Sequence, residues 1–253
     1  MTRIIAIANH KGGVAKTTSV ASIGSALAKK GKRVLLIDLD AQQNLTFSFV
    51  KNQDIEESIY EAMTGKANLP IYSLKPNLDL TPSGLGLARA EIDLSTRIAR
   101  EQILKNLLEP VAKNYDYILL DCPPSLGIVT TNALTAATDL LIPLTAEALP
   151  LKGLTMLEEV VEEVKRSINQ KLQLSGVFIT RYNNRKLNTL IEDAIKKRYG
   201  SVVFDTRVRE NISLAEAPLT GTDIFDYAPT SNGAKDYEAL TDEIIAKFEG
   251  GNK

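Results

Sequence analysis

The sequence has a single cysteine, a single histidine and no tryptophan among its 253 residues. One cysteine, Cys122, excludes an intramolecular disulfide and the paired thiols that a metal or iron–sulfur site would need within one chain. His10 has no second histidine with which to bind a metal, and a catalytic triad around it is not expected. An iron–sulfur reductase therefore fails on the cysteine count alone.

Long hydrophobic runs and an excess of one charge are also missing. No apolar run approaches the length of about 18 residues that indicates a transmembrane helix, and the first residues show no signal-peptide pattern. The formal net charge is −1, so any site for a polyanion must be local. These absences predict a soluble, cytoplasmic protein with no membrane partner.

Aromatic residues are scarce at 6%, which suits a sheet filled with aliphatic side chains. A length of 253 residues admits one large domain or two small ones. Strand-like apolar runs alternate with helical periodicities along the whole chain, without a credible linker or repeat. The pattern predicts one α/β domain over 1–253, in three layers, with a mostly parallel central sheet flanked by helices.

The same patterns place the elements. Strands are predicted over residues 4–8, 33–40, 78–80, 115–121, 139–145, 174–180 and 202–204. Helices are predicted from the first glycine loop to about residue 30, and over 56–63, 94–112, 152–168, 187–198 and 234–248. Residues 206–222 are predicted to form a loop.

A glycine loop follows the first predicted strand and leads into a helix that starts with Lys-Thr. This context predicts a phosphate site, because loop N–H groups and a helix N-terminus present positive partial charge. Lys16 would contact the β- and γ-phosphates of ATP, and the Thr17 hydroxyl would bind Mg²⁺. The residues predicted to bind the nucleotide are Lys11, Gly12, Gly13, Val14, Ala15, Lys16, Thr17 and Thr18.

The loop departs from the pattern G-x-x-x-x-G-K-[ST], because His10 and Ala15 occupy the two glycine positions. It fits the variant K-G-G-x-G-K-T with one change, alanine for glycine at position 15, and Lys11 is the additional lysine of that variant. An alanine is compatible with a right-handed backbone, so we expect a right-handed conformation at Ala15.

Carboxylates end two of the predicted strands. Asp38 and Asp40 close one strand, and Asp121 closes another before Cys122-Pro123-Pro124. In open parallel sheets, ligands lie beyond the carboxyl ends of strands, and Asp121 is at the position of a Walker B magnesium ligand. The alternative is that Asp40 and Asp121 only cap exposed strand ends. Asp38 suits a buried hydrogen-bonding role as well as a Mg²⁺ role.

The lysine-bearing loop, Ile37-Asp38-Leu39-Asp40, Leu120-Asp121-Cys122-Pro123-Pro124 and Leu214-Ala215-Glu216-Ala217-Pro218 occur in the order of one family. The whole chain resembles the ParA/MinD group of deviant Walker A P-loop ATPases, and most closely the short Soj-like ParA partition ATPases. The resemblance implies an ATP-dependent homodimer, non-specific binding of double-stranded DNA on the nucleoid, and stimulation by a ParB-type partition protein.

The resemblance also implies roles for single residues. Lys11 would reach the partner subunit's nucleotide, Lys16 would be the P-loop lysine, and Asp40 would position the attacking water, so these three are the catalytic candidates. Thr17, Asp40 and Asp121 would be the metal candidates. Arg209 and Asn211 occupy the adenine-contacting loop, where the family usually has Pro-Arg-Asn.

For the DNA surface, the resemblance places arginines at positions 185 and 213, and this chain has Arg185 and Ser213. Residues 181–209 nevertheless hold eight basic side chains against three acidic ones. That local excess predicts a phosphate-binding face, with Arg185, Lys186 and Arg207 as candidates. The alternative is an ordinary solvated helix face.

Two other functions remain open. A MinD-like membrane-cycling ATPase would need a basic amphipathic C-terminal tail. The last predicted helix has an apolar face but carries Asp236, Glu238, Asp242 and Glu243 on its polar side, which predicts that it packs on the domain instead. A small-molecule synthase such as dethiobiotin synthetase is the other alternative, and ATPase activity that depends on a metabolite rather than on DNA would reveal it.

Overall fold

The computed structural model describes residues 2–51, 55–146, 151–183 and 185–250. Its centre is a sheet of eight strands in the order β3-β4-β2-β5-β1-β6-β7-β8. Every neighbouring pair is parallel except β3 and β4. The strands are β1 Arg3–Ile7, β2 Val34–Asp38, β3 Tyr72–Lys75, β4 Leu78–Thr81, β5 Tyr117–Asp121, β6 Asp139–Thr145, β7 Gln173–Tyr182 and β8 Val203–Arg209.

Helices cover both faces of the sheet. The helices of the described residues are α1 Lys16–Lys29, α2 Asn44–Phe49, α3 Ile59–Met63, α4 Ala90–Asp93, α5 Ile103–Ala112, α6 Ile128–Ala136, α7 Leu151–Ser167, α8 Lys186–Tyr199, α9 Ser213–Thr220, α10 Ile224–Tyr227 and α11 Asn232–Glu249. Short 3₁₀ turns lie at Leu85–Arg89, Arg100–Gln102 and Gly200–Val202. The predicted three-layer α/β fold with a mostly parallel sheet is confirmed.

Alternate residues of the inner strands point to opposite faces and fill two separate cores. On β2, Leu35 and Ile37 enter one core, whereas Val34 and Leu36 enter the other. The first core packs against α3 and α5–α8, and the second packs against α1, α2, α10 and α11. Strands buried on both faces need apolar residues at every position, which is why β2 and β5 read as unbroken aliphatic runs.

The predicted helix over 94–112 is wrong in its first half. Helix α4 ends at Asp93, before the predicted range, and α5 begins only at Ile103, after the 3₁₀ turn Arg100–Gln102. Ala99 lies between them with a left-handed backbone at φ 52°, which no continuous helix allows. Ile98, which fitted the apolar helical spacing, is 98% exposed. Apolar spacing alone did not reveal this break in the chain.

The predicted loop over 206–222 is also wrong, because it contains the end of β8 and all of α9. The side chain of Asn211 accepts a hydrogen bond of 2.9 Å from the N–H of Ser213, and so satisfies a donor where the helix begins. Pro218 lies inside α9, although proline is disfavoured in a helix interior. Helices α2, α4, α6 and α10 and strand β3 were not predicted either.

The prediction that the last helix packs on the domain is confirmed. Tyr237, Leu240 and Ile244 of α11 are fully buried in the second core. Its acidic residues do not form a free polar face. Glu243 accepts bonds of 2.9 and 2.8 Å from the N–H groups of Asp205 and Thr206 on the edge strand β8. These bonds close part of an edge that would otherwise offer free N–H groups to another strand.

No helix within the described residues is long and apolar enough to cross a membrane.

Candidate nucleotide site

Asn9 anchors the start of the loop between β1 and α1. The side-chain amide of Asn9 donates to the carbonyl of Pro143 at 2.7 Å, and its oxygen accepts from the N–H of Lys11 at 2.9 Å. Gly12 and Gly13 have open space where a Cβ would lie, and Gly13 has φ 73°. The loop is therefore anchored at its start and leaves a backbone surface that a phosphate can approach.

The expected right-handed backbone at Ala15 is wrong. Ala15 has φ 63° and ψ 33°, which is the left-handed conformation that favours glycine. Its carbonyl accepts from both the N–H and the hydroxyl of Ser19, at 2.9 and 2.7 Å, at the start of α1. The requirements of the loop and of the helix start outweigh the local preference of alanine.

Replacing Ala15 by glycine should stabilise the protein slightly. The left-handed backbone costs an L-residue roughly 1–2 kcal/mol, and glycine avoids this cost. The greater conformational freedom of glycine in the unfolded chain offsets about 0.5–1 kcal/mol of the stabilisation. We therefore expect Ala15→Gly to raise the free energy of unfolding by up to about 1 kcal/mol in urea titrations, with ATP binding retained. The control is Ala21→Gly in α1, which should lower stability by about 1 kcal/mol. A clear loss of stability in Ala15→Gly would contradict this account.

Lys16 is the first residue of α1 and is buried at the base of the loop, with its Nζ 3.3 Å from the carbonyl of Lys11. Burial lowers the pKa of this ammonium group, and the nearby Asp121, Cys122 and Asp40 oppose the shift. A buried cation that contacts a neutral carbonyl is only partly compensated. A polyphosphate at the loop would supply the missing negative charge.

Asp38 has a hydrogen-bonding role in this structure. It is fully buried and accepts from the N–H and hydroxyl of Thr46, at 2.8 and 2.7 Å, and from the N–H of Asp40 at 3.1 Å. Burial nevertheless raises its pKa to about 6. Asp38 therefore ties the end of β2 to α2 and positions Asp40.

Asp121 is fully buried, and neither carboxylate oxygen has a hydrogen-bond partner among the described residues. Burial raises its pKa well above the usual range, with further contributions from the negative charges of Asp38 and Asp40. Thr17 and Lys16 lie near enough to oppose that rise. Two buried oxygens without a partner are costly unless a proton or a cation satisfies them.

The residues around Asp121 fit a magnesium ion. Within the described ranges, no group of three or more acidic, histidine or cysteine residues could hold a metal alone. Mg²⁺ is usually bound by one or two carboxylates, while waters and substrate phosphates complete its coordination. Asp121 supplies such a carboxylate, and Thr17 supplies a hydroxyl beside it.

Asp40 lies at the opening of the same site and is partly exposed. Its Oδ1 accepts from the N–H of Gln42 at 3.0 Å, so the carboxylate is oriented by its own turn. Lys11 is also partly exposed, and its Nζ lies 3.4 Å from the hydroxyl of Thr145 at the end of β6. The structure thus brings Lys11, Lys16, Thr17, Asp40 and Asp121 to one edge of the sheet.

Of these groups, Lys16, Thr17 and Asp40 line a cavity of about 740 Å³, a size typical of small-molecule sites, whereas Lys11 and Asp121 lie outside its lining. One end is formed by the loop, the start of α1, Asp40 and Pro124. The other end is formed by α2 and the segment 214–224. Residues of that second end that the sequence did not suggest are Asn44, Phe47, Ser48, Phe49, Lys51, Thr222, Asp223 and Ile224.

The two predicted base contacts do not line this cavity. Arg209 forms a two-pronged ion pair with Asp236 of α11, at 2.6 and 2.9 Å. Asn211 lies at the start of α9, where its side chain bonds to Ser213. The wall nearest to them is formed by α9 itself, through Leu214, Ala215 and Pro218. The sequence singled out residues 214–218 only as a motif of the family resemblance within a predicted loop, and it did not predict that they line the cavity.

The basic candidates divide into paired and unpaired residues. Arg207 bonds to the buried Glu192 at 2.7 Å and lies over the ring of Tyr182 at 5.1 Å. Arg185 precedes α8 and Lys186 begins it, and both are exposed. Within the described ranges, neither of these two forms an ion pair. Lys197, eleven residues and about three turns further along α8, is likewise exposed and forms no ion pair within the described ranges.

Comparison with known proteins gives consistent matches over the whole chain. A family model for an AAA domain matches residues 2–174. The sporulation initiation inhibitor protein Soj of Bacillus subtilis is 42% identical over 252 residues, which cover 97% of this chain and 99% of that protein.

Two solved structures are similar in fold. One, titled cobyrinic acid a,c-diamide synthase of Mycobacterium smegmatis with bound ADP and magnesium, has a TM-score of 0.87 and 34% identity, and covers 100% of this chain and 98% of that one. The other, the septum site-determining protein MinD of Pyrococcus horikoshii with Mg-ADP, has a TM-score of 0.78 and 25% identity over 96% of each chain.

Proposed function

The chain belongs to the ParA/Soj family of P-loop ATPases, and on this premise we propose that it is a DNA-partition ATPase. ATP would form a dimer of two chains, the dimer would bind double-stranded DNA without sequence preference, and a ParB-type protein would stimulate hydrolysis. ATP and Mg²⁺ are the cofactors that accompany this activity, as in the similar structure with bound ADP and magnesium.

The observation that carries the nucleotide part is the buried carboxylate of Asp121, which lies beside Thr17 and Lys16 and has no hydrogen-bond partner among the described residues. Lys16 and Thr17, together with the carboxylate of Asp40, line a cavity large enough for a nucleotide. Mg²⁺, when bound, would neutralise charge on the β- and γ-phosphates. Thr17 and Asp121 are the residues that would hold it.

The remaining residues of the site would bind the phosphates and orient the attacking water. The N–H groups of the loop and the N-terminus of α1 would contact the phosphates, with Lys16 as the nearest full charge. Asp40 would accept a hydrogen bond from a water and direct its oxygen towards the terminal phosphorus atom. Because Asp38 fixes the backbone of Asp40, the water would be held without reorganisation of the turn.

Lys11 would act in the dimer. Within one chain its ammonium group lies near Thr145, on the open side of the site. A lysine at the entrance of the loop can reach a phosphate of a second molecule that faces it. Each chain would then place its Lys11 charge against the phosphates bound to the other chain. The dimer would therefore form only when ATP is bound.

The DNA part of the proposal is supported by the basic residues at α8 that form no ion pair with any residue that the structure describes. Lys186 and Lys197 are eleven positions apart, and this spacing returns them to the same face of a helix. Arg185 lies beside the first of them. Unpaired cations on one face can release the counterions of DNA on binding, whereas Arg207 and Arg209 would first have to leave Glu192 and Asp236.

Arg185→Glu should therefore weaken the binding of duplex DNA and flatten its salt dependence, because each phosphate contact contributes about 0.9 to the slope of log K against log [salt]. Fluorescence anisotropy with a labelled duplex at several salt concentrations measures both. In the ATP dimer, which carries two such faces, the decrease in log K and the change in salt slope should both be doubled. ATP binding should remain unchanged.

The matched control is Arg89→Glu, an equal change of charge at a side chain that is 73% exposed and ends the 3₁₀ turn Leu85–Arg89, outside α8. It should leave DNA binding within about twofold of wild type. Equal losses in both variants would mean that net charge alone matters and that α8 is not the DNA face.

The whole proposal is tested by the ATPase rate with duplex DNA, with a ParB-type N-terminal peptide, and with both. Stimulation that needs the peptide is the expected result. Failure of the ATP-bound protein to bind duplex DNA even at low salt would refute the partition function. The membrane-cycling alternative has less support, because the acidic residues of α11 pair with Lys29, Lys30, Lys32, Arg209 and β8.

A further inference from the structure

The C-terminal end of β6 contacts the phosphate loop on one side. Asn9 donates to the carbonyl of Pro143. The hydroxyl of Thr180 on β7 lies 3.2 Å from the carbonyl of Val14 in the loop and 3.3 Å from that of Leu144. Two consecutive residues of β6 thus hold the loop through buried polar side chains.

The next two residues continue this pattern and extend it to α8. The hydroxyl of Thr145 accepts from Lys11. The carbonyl of Ala146 accepts from the side-chain amide of Asn188, which lies in the first turn of α8. We call Pro143, Leu144, Thr145 and Ala146 the β6 junction.

Asn188 is unusually well placed for a residue on a surface helix. It is only 4% exposed, although its neighbours Leu187 and Thr189 are exposed. Its amide donates to Ala146, and its oxygen accepts from the N–H of Asn183 at 3.0 Å. One side chain therefore ties together the β6 junction, the end of β7 and the start of α8.

We infer that Asn188 is a positioning residue that couples the nucleotide loop to the first turn of α8 through the β6 junction. The inference rests on the proposed function only in identifying that turn as the DNA face. The contacts from which the coupling is inferred do not depend on that function.

The physical argument starts from Lys11. When Lys11 turns towards a phosphate, Thr145 loses a charged donor in a site that is 5% exposed. Leaving a buried polar group without its partner costs about 1–3 kcal/mol. This cost favours a shift of the end of β6, or a new donor to the Thr145 hydroxyl. Ala146 is the adjacent residue, and its carbonyl is bonded directly to Asn188. A change at Lys11 is thus passed to α8 in two steps.

Coupling of this kind is reciprocal. A ligand that fixes the first turn of α8 fixes Asn188 and Ala146, and so favours one arrangement of Thr145 and Lys11. A network that only connects two places is not sufficient evidence of coupling, so both ends must be shown to respond.

Hydrogen exchange measured on the full chain, with and without a non-hydrolysable ATP analogue and Mg²⁺, tests the inference without DNA. In the wild type, the analogue should slow exchange at backbone amides 186–190 by about fivefold or more, within the usual range of coupling. In Asn188→Ala this response should be lost, while the affinity for the analogue stays within about twofold of wild type.

Two further variants distinguish coupling from mere support of α8. Thr189→Ala alters the exposed neighbour and should keep the full response. Thr145→Val removes the hydroxyl that accepts from Lys11 and should reduce the response from the other end. Because both bonds belong to one route, the double variant Thr145→Val/Asn188→Ala should respond no less than Asn188→Ala alone.

The inference is overturned if Asn188→Ala keeps the wild-type response, or if the wild type shows no response at 186–190. The failure of the proposed function gives a different result. If the analogue protects α8 through Asn188 but no duplex binds, the coupling stands and the DNA face is refuted. If duplex binds but Asn188→Ala is indistinguishable from Thr189→Ala, the partition function stands and the coupling is refuted.

Discussion

Asp40→Ala should bind ATP with nearly wild-type affinity and hydrolyse it at least about 100-fold more slowly, within the range that a positioned acid–base group contributes. Asp40 is partly exposed at the mouth of the cavity, whereas the buried charge that faces the phosphates belongs to Lys16. Removing Asp40 therefore leaves the binding contacts intact. What is lost is the carboxylate that would orient the attacking water.

The measurement is phosphate release in a single turnover, combined with calorimetry for ATP. Because hydrolysis is blocked after binding, ATP-bound dimers should accumulate and be visible by light scattering. Asp40→Asn is the conservative variant, since its amide oxygen can still accept from Gln42 and keep the turn. Wild-type turnover in both variants would remove Asp40 from the mechanism.

Lys11→Ala is the comparison variant, and its expected effect on the ATP-bound dimer is the opposite of that of Asp40→Ala. ATP binding by one chain should persist, because Lys16 and the loop remain. The dimer should fail to form with ATP, since the charge that would reach the second nucleotide is missing. If Asp40→Ala and Lys11→Ala had the same oligomeric state with ATP, the separate roles proposed for them would be wrong.

Lys16→Ala should weaken ATP binding by about 1.5–3 kcal/mol, which is roughly 10- to 150-fold in the dissociation constant. The ammonium group is buried and contacts a neutral carbonyl, so it is already desolvated and positioned before the phosphate arrives. Preorganised charges of this kind form the strongest hydrogen bonds to phosphate oxygens. Isothermal titration with ATP and Mg²⁺ measures the loss.

The control for this variant is Lys29→Ala in the last turn of the same helix, where the side chain is 58% exposed and 3.9 Å from Glu238. It removes an equal charge from α1 and should leave ATP affinity unchanged, because surface ion pairs contribute little. Equal affinities of the Lys16→Ala variant and the wild type would refute the assignment of the loop as a phosphate site.

The sequence alone was sufficient for the elements that depend on local patterns. The glycine loop between an apolar strand and a helix, the carboxylates that end β2 and β5, and the apolar face of α11 all follow from residues close together in the chain. Their positions in the fold follow from parallel-sheet geometry, since the carboxyl ends of neighbouring strands meet at one edge. The position of the proposed phosphate site in the fold could therefore be predicted before the structure.

Where residues far apart in the sequence compete for one side chain, local patterns were insufficient. Arg207 and Arg209 read as candidates for DNA or nucleotide, but Glu192 and Asp236, which lie 15 and 27 positions away, hold them. A charge count over a segment cannot distinguish a paired arginine from an unpaired one.

Ala15 and Asp121 show what the tertiary structure decided and why. Alanine prefers a right-handed backbone, but the loop must enter α1 at a fixed angle, and packing outweighs that preference of roughly 1–2 kcal/mol. Asp121 is an ordinary carboxylate in the sequence, and only the surrounding strands remove it from water and leave its oxygens without a hydrogen-bond partner among the residues that the structure describes. The sequence determined which groups are present at the site, whereas burial and long-range pairing determined which of them are left to bind a ligand.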